Sequence, residues 1–277
     1  MIGRFAARRA ATLAALVALT LAAGAGAQSN DSAPPFVTTP SELVERMLAL
    51  AETQRGDVVV DLGSGDGRIV IAAAKNHGAR AIGVELDPEL VVVARENAQG
   101  AGVEQLTTFV HGDVLKADLS SASVVTAYLL PWLMDQLQPK FLAELAPGTR
   151  IVSHAFPMSG WAADVTREIS LTGEHAGRTA TLYYWVVPAQ VRGTWHSAQP
   201  EGEWRLRIEQ NFQQIDVDVD GAVGDAPFTT TNARLRGTQI EWQTEAGRFS
   251  GRVLSFQIVG TLTANGAARS IIFARQE

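Results

Sequence analysis

Three carboxylates stand where a chain can present chemistry to a ligand. Asp61, Glu85 and Asp113 each close a short apolar run, and Gly63-Ser64-Gly65-Asp66-Gly67 follows the first of them. Glycines at such a turn let the backbone approach a ligand with no Cβ in the way. A nucleotide-type ligand would then lie at the carboxyl end of a strand, against the start of the next helix. Glu85 falls 22 residues after Gly63, the interval at which an acid on the second strand holds ribose hydroxyls. Asp113 ends the third run, where a carboxylate can accept an adenine amino group.

Charge and spacing narrow the ligand. A dinucleotide fingerprint, Gly-x-Gly-x-x-Gly, would need a third glycine where Arg68 stands. Asp61 and Asp66 also occupy the place of a pyrophosphate, and like charges in a partly desolvated cleft cost several kcal/mol at an effective dielectric of about 20. No Gly-Lys-Ser/Thr follows, which excludes a Walker loop. A ligand bearing an ammonium and a sulfonium but no phosphate suits these acids, and S-adenosylmethionine (SAM) is such a ligand.

The elements that position these groups read as an α/β unit. Val58 to Val60 form a buried strand, Ile69, Val70 and Ala72 to Ala74 mark the helix after it, and Ala81 to Asp87 form a second strand. Asp87-Pro88 caps the next helix, with proline at its first position. Thr107 to His111 give a third strand and Val124 to Tyr128 a fourth. Upstream, Thr39-Pro40-Ser41-Glu42 predicts a helix start with Thr39 as N-cap and Glu42 closing a capping box. Leu43, Met47 and Leu50 give that helix its apolar face. Alternating strands and helices continue to about residue 156, the pattern of a parallel sheet covered on both faces. Val165 to Leu171 and Ala180 to Pro188 add a closing antiparallel hairpin.

From about residue 36 to 190 the chain resembles the class I SAM-dependent methyltransferases. It is most similar to the protein-lysine methyltransferase branch that includes broad-specificity archaeal enzymes and mitochondrial enzymes acting on an ATP synthase subunit. The resemblance rests on Pro35-Phe36-Val37-Thr38-Thr39-Pro40, on Asp61-Leu62-Gly63-Ser64-Gly65-Asp66-Gly67-Arg68-Ile69-Val70, on Tyr128-Leu129-Leu130-Pro131, and on the stretch from Pro147-Gly148-Thr149-Arg150 to Ser153-His154-Ala155-Phe156-Pro157. It implies a seven-stranded Rossmann-like sheet and SAM as cofactor. The expected cofactor residues are Thr39, Asp61, Gly63, Ser64, Gly65, Glu85, Leu86, Asp113 and Val114.

Methyl transfer from a sulfonium is an in-line displacement that asks mainly for alignment. The fourth strand would deliver Tyr128 to the methyl group. Enzymes acting on amide or adenine nitrogen carry Asn/Asp-Pro-Pro-Tyr there; Tyr128-Leu129-Leu130-Pro131 has no carboxamide. An apolar channel for an aliphatic amine is favoured, with Tyr128 as the expected catalytic residue and a protein lysine as the expected acceptor. Trp132, His154 and Phe156 are further candidates for its rim. A noncatalytic, exported binder of SAM or a related nucleoside is the alternative.

The chain opens with Arg4, Arg8 and Arg9, an uncharged apolar stretch from Ala10 to Ala23, and Ala25-Gly26-Ala27. These features predict a signal peptide over residues 1–27, cleaved before Gln28, and an exported protein of the periplasm or cell envelope. The apolar run is shorter than the ~20 residues that span a bilayer, so no stable membrane span is expected in the mature chain. Removing residues 1–27 takes the net charge from −6 to −9, which disfavours nonspecific nucleic-acid binding. The chain has no cysteine and no histidine cluster, and no metal site is expected.

Residues 28–190 are thus the expected catalytic domain, and composition changes near Gly193. Over residues 193–277 come alternating runs, Trp204-Leu206-Ile208, Ile215-Val217-Val219, Ile240-Trp242, Val253 to Leu262 and Ser270 to Phe273, separated by Gly and Asn turns. They predict an all-β domain, an antiparallel sandwich or small barrel. Asp216, Asp218, Asp220 and Gly221 imitate the start of a calcium loop, but Pro227 stands at its twelfth position and the intervening valines alternate as in a strand. The aspartates read as one solvated strand face. For this domain, substrate recruitment, covering of the active site and self-association remain open.

Overall fold

β-Branched runs in the front half form seven strands: β1 (Val58–Leu62), β2 (Arg80–Glu85), β3 (Thr107–His111), β4 (Val124–Ala127), β5 (Arg150–His154), β6 (Val165–Ser170) and β7 (Thr179–Val186). The computed structural model describes residues 38–200, 202–221, 228–245 and 247–276. The expected signal peptide and residues 35–37 of the entry segment lie outside them. The sheet order is β3-β2-β1-β4-β5-β7-β6. Strands β1 to β5 are parallel, and β7 runs antiparallel to both β5 and β6. The order reverses between β1 and β4, so a crevice opens where these two strands end.

Alternation along the strands fills both faces. Val59, Ala81 and Val124 pack under α1 (Ser41–Leu50), α2 (Arg68–His77) and α3 (Pro88–Ala101). Val60, Val84 and Val125 pack under α4 (Pro131–Glu144) and Trp161. At the opposite edge from the crevice, Asp57 joins three strands by accepting hydrogen bonds from Ser123 Oγ at 2.7 Å and from Arg150. The predicted cap of α3 is present, since Asp87 accepts from the Glu89 N–H at 2.8 Å and Pro88 opens the helix.

The capping box predicted for α1 is absent. Pro40 is the N-cap, Thr39 lies one residue outside, and no side chain caps the helix. Glu42 reaches across instead and accepts from the Thr172 N–H at 2.8 Å and the Thr172 hydroxyl at 2.6 Å. A tertiary partner with two donors outcompetes the local cap. Strand β4 also ends one residue earlier than predicted, at Ala127, leaving Tyr128 in the connection to α4.

The C-terminal strands curl into a nearly closed barrel. They are β8 (Gly193–Gln199), β9 (Gly202–Asn211), β10 (Gln214–Asp220), β11 (Phe228–Thr229), β12 (Thr231–Arg236), β13 (Gln239–Thr244), β14 (Gly247–Leu254), β15 (Gln257–Ala264) and β16 (Ala267–Arg275). Their order is β11-β10-β9-β8-β16-β15-β14-β13-β12. Two antiparallel meanders are joined by the pairing of β16 with β8, and β12 at one end comes back beside β10 near the other. The apolar run Val253 to Leu262, a single segment by its pattern, is broken by a turn between Leu254 and Gln257. The barrel is filled: Trp195, Leu206, Trp242, Phe249 and Phe273 are buried in one cluster, and Trp242 stacks on Phe249 at 4.0 Å between centroids. Strand β10 alternates as expected, with Ile215, Val217 and Val219 buried and Asp216 and Asp218 outside. Asp218 pairs across with Arg207, and Asp220 with Arg205.

Two hairpin turns dock the barrel on the front sheet. In the β9–β10 turn, Phe212 stacks on Trp161 at 5.4 Å, and Gln213 accepts from Trp161 Nε1 at 2.8 Å. In the β12–β13 turn, Gly237 has φ +58°, and a Cβ there would lie 2.9 Å from the Cα of Gly148. Gly148 precedes β5, so the barrel sits at the edge where β5 begins. The crevice opens at the other edge. Among the described residues, no helix is long and apolar enough to cross a membrane.

Candidate active site

The turn after β1 is shaped by three left-handed residues, Gly63 (φ +72°), Gly65 (φ +54°) and Gly67 (φ +81°). Side chains would collide here: a Cβ on Gly63 would lie 2.8 Å from Leu129 Cδ2, and one on Gly67 would lie 2.8 Å from the Phe109 ring. The turn is held to β2 by Glu85. Its Oε2 accepts the Gly65 N–H at 2.8 Å and its Oε1 the Asp87 N–H at 2.9 Å. Each oxygen keeps a lone pair for a hydroxyl, so the carboxylate is already oriented toward the crevice rim.

Asp61 is buried at the end of β1, 2% exposed, and Thr126 Oγ1 of β4 donates to it at 2.7 Å. Burial raises its pKa to about 7, against the opposing hydrogen bond from Thr126, and the nearby Glu85 and Asp66 push it the same way. Motif spacing does not single out Thr126, although a hydroxyl in the otherwise apolar Val124-Val125-Thr126-Ala127 is a signal. Burial also pushes the Asp66 carboxyl up, but Arg68 outweighs it and holds the group below its usual range. Arg68 approaches Asp66 at 2.6 Å and donates to the Thr39 carbonyl at 2.8 Å. The residue that breaks the dinucleotide pattern therefore ties the entry segment to the glycine turn.

The other expected residues are spread along the same edge. Asp113 accepts the Leu115 N–H at 2.9 Å, as a turn former does. Leu86 is 54% exposed beside Glu85, a free apolar surface suited to a base, whereas Val114 and Thr39 are buried. Ser64 Oγ is buried and has no protein partner. On the β4 side, Tyr128 packs on His154 with ring centroids 4.0 Å apart and on Phe156 at 6.3 Å. Burial lowers the His154 pKa to about 4, so the imidazole is neutral near pH 7, and its Nδ1 has no protein partner. Ala155, between the two rings, is held at φ +67°, backbone strain of the kind that collects at functional sites. Trp132 stands farther out, 53% exposed.

Comparison with known proteins covers the segment that builds this edge. Residues 61–165 match the ANTKMT methyltransferase domain. A protein-lysine N-methyltransferase of Saccharolobus islandicus is 44% identical over 128 residues, which is 46% of this chain and 80% of that protein. The chain belongs to this methyltransferase family. A mouse lysine N-methyltransferase acting on an ATP synthase subunit is 39% identical over 61% of this chain, and the chain spans 64% of its length. Among solved structures, an RNA methyltransferase from Salinibacter ruber in complex with S-adenosyl-L-homocysteine is 50% identical. It matches 56% of this chain and 96% of its own, with a TM-score of 0.51.

The cofactor of this methyltransferase is SAM, and the crevice fits it. Glycines leave the backbone bare, the carboxylates of Asp61 and Glu85 beside them are of a kind that accepts from hydroxyls and an ammonium, and the Arg68 cation at the turn is already neutralised by Asp66. Bound SAM supplies an electrophilic methyl group on a sulfonium.

Proposed function

We propose that this methyltransferase acts on the ε-amine of protein lysines. The observation that carries this reading is the aromatic wall beyond β4: Tyr128 packed at a tilt on a neutral, buried His154 and stacked on Phe156, followed by Leu129 and Leu130, with no carboxamide. Lysine attacks only as the neutral amine. An apolar, uncharged wall lowers the amine pKa by desolvation and releases the proton to solvent before transfer. A histidine with a pKa of about 4 is too weak a base to retain that proton; it keeps the wall uncharged. Glu85 holds the ribose hydroxyls, Leu86 and Val114 flank the base, and Asp61 and the glycine turn set the amino-acid end of SAM. Tyr128 aligns the amine with the methyl group.

RNA is the second reading, because the Salinibacter protein is described as an RNA methyltransferase. Phosphate backbones are bound by cationic grooves. The crevice edge carries Asp61, Asp66, Glu85 and Asp113, in a chain of net charge −6, which favours a cationic acceptor. The experiment is incubation of the purified protein with SAM and either an envelope-protein extract or total RNA, read by mass spectrometry. Methyl groups on lysines support the proposal, and methylated RNA with unmodified protein overturns it. Tyr128→Phe should lower turnover about tenfold, ~1.4 kcal/mol in the barrier, with SAM affinity unchanged; full turnover removes Tyr128 from the mechanism.

We also propose that the protein acts outside the cytoplasm with Gln28 as its mature N-terminus, on the strength of Arg4, Arg8, Arg9, the apolar run and Ala25-Gly26-Ala27. N-terminal sequencing from an envelope fraction tests this, and intact Met1 in the soluble cytoplasm overturns it.

A further inference from the structure

Charge and apolarity segregate on the outside of the barrel. Strands β12 to β14 carry exposed Arg234, Arg236, Arg248 and Arg252 and one carboxylate, Glu241, which pairs with Arg248 at 2.5 Å. Glu245 lies beyond them, in the β13–β14 turn. Arg236, Gln239 and Arg252 stand in one cross-strand row. This face is cationic on a chain whose net charge is −6. The row continues from Arg252 to Val259 and on to Ile272, so the arginines run into an apolar surface. Ile272 is 50% exposed, Leu254 at the end of β14 is 54% exposed, and Phe256 in the adjoining β14–β15 turn is 75% exposed.

That turn breaks two local rules at once. Ser255 has φ +40° in a two-residue connection, where glycine is favoured at the first position. A phenylalanine then follows it into water. Neither residue serves the barrel interior, which Trp195, Trp242, Phe249 and Phe273 already fill. An exposed apolar patch rimmed by charge marks a binding surface.

We propose that the Leu254–Phe256 tip and the arginine face of β12 to β14 bind an anionic lipid surface. Interfacial binding combines shallow apolar insertion with attraction of basic residues to acidic headgroups, and the two features here are contiguous. Arginines on the two strands that flank β13, Arg234 and Arg236 on β12 and Arg248 and Arg252 on β14, call for anions distributed in a plane, which a headgroup layer supplies. The apolar tip by itself is small beside the area that a stable protein interface buries, about 1,200–2,000 Å² in total. The β12–β13 turn at the same end of the barrel meets Gly148, so lipid would approach beside the front sheet's amino edge and leave the crevice free for an acceptor.

The chain contains no cysteine, so Phe256→Cys in the full chain accepts a single polarity-sensitive fluorophore. Vesicles of phosphatidylcholine with one part in three phosphatidylglycerol should give a blue shift and a several-fold rise in emission. Pure phosphatidylcholine should give neither, and the same probe at Thr263→Cys, at the far end of β15, should stay silent. Adding Arg234→Gln, Arg248→Gln and Arg252→Gln to the labelled chain should raise the lipid concentration for half-maximal shift about tenfold. Comparing labelled positions within one chain keeps the N-terminal apolar run common to every measurement. The proposal is overturned by silence at Phe256→Cys with anionic vesicles, by equal shifts with both vesicle types, by a concentration-dependent shift without lipid, which makes the tip a self-association surface, or by a shift that needs envelope proteins.

Discussion

The front sheet and the barrel place their polar groups by opposite rules. Among the described residues, ten polar or charged side chains are buried, and nine of them (Thr39, Thr53, Asp57, Asp61, Ser64, Thr126, Thr149, Ser153 and His154) lie in the front half; Ser197 is the barrel's. Five of the nine, Asp61, Ser64, Thr126, Ser153 and His154, cluster at the carboxyl ends of β1, β4 and β5. Burying a polar group is costly unless it is paired, yet Ser64 Oγ and His154 Nδ1 have no protein partner. The barrel's interior is lined mainly by apolar and aromatic side chains, with the buried Trp204 Nε1 as its unpartnered polar atom among the described residues, and its other departures lie outside, at one hairpin tip. A fold stabilised by packing alone looks like the barrel. The crevice edge gives up stability to keep groups available.

The sharpest way to break this comparison is to damage each region and read the other. Trp242→Ala removes a side chain that is 3% exposed and should cost about 3–5 kcal/mol of stability. A urea titration followed by tryptophan fluorescence measures it. SAM affinity by calorimetry should change less than about twofold under folding conditions. A parallel loss of affinity would make the barrel and crevice one cooperative device. The mirror experiment is Glu85→Ala, which removes the acceptor of the Gly65 and Asp87 N–H groups. It should weaken SAM binding by about 1–3 kcal/mol and leave the barrel's unfolding midpoint in place. Unchanged affinity would take Glu85 out of the cofactor site.

The two regions also differ in how far the sequence reveals them. The crevice is legible because its constraints are local: glycines at fixed spacing, acids at strand ends, proline at the start of α3. What escapes is nonlocal. Thr126 meets Asp61 from 65 positions away, and Glu42 abandons its own helix for Thr172. Asp57, Ser123 and Arg150 converge only once three strands are parallel. In the barrel, alternation reveals Trp204-Leu206-Ile208 and Ile215-Val217-Val219 as strands, but Val253 to Leu262 hides a turn because its breaker is Ser255, not glycine. Alternation also cannot separate a sandwich from a barrel. That choice is fixed by contacts between distant segments, the pairing of Ala274 with His196 and the approach of β12 to β10.

The buried acid of the crevice yields a pH signature. The native pKa of Asp61 is about 7, above its ordinary value of 3.8, so between these values the folded protein holds a proton that the unfolded chain has lost. This contribution to stability is full below about 4 and is lost as pH rises through 7. A cationic ligand reverses the preference, because it favours the carboxylate. SAM affinity should therefore rise with pH up to about 7, by as much as tenfold per pH unit, and level off above it. Asp61→Asn should flatten the profile. Calorimetry in two buffers of different ionisation enthalpy reads the released proton, and a wild-type affinity constant from about pH 5.5 to 7.5 would show that Asp61 is not coupled to the ligand.

The smallest effect belongs to the barrel's outer face, where charge is abundant and its consequences should be slight. Asp218 is exposed on β10 and stands opposite Arg207. Exposed pairs of this kind lose most of their attraction to solvent and salt, so Asp218→Asn should shift Tm by no more than about 2 °C. The alternating burial of Ile215, Val217 and Val219 points the neighbouring aspartates outward in a row, whereas a calcium loop must curl its carboxylates around one centre. Excess calcium should consequently leave Tm unchanged in wild type and variant alike, read by scanning calorimetry with and without chelator. A calcium-dependent rise that Asp218→Asn abolishes would show that this strand face binds a cation after all, and would place a second site on the half of the molecule built by packing.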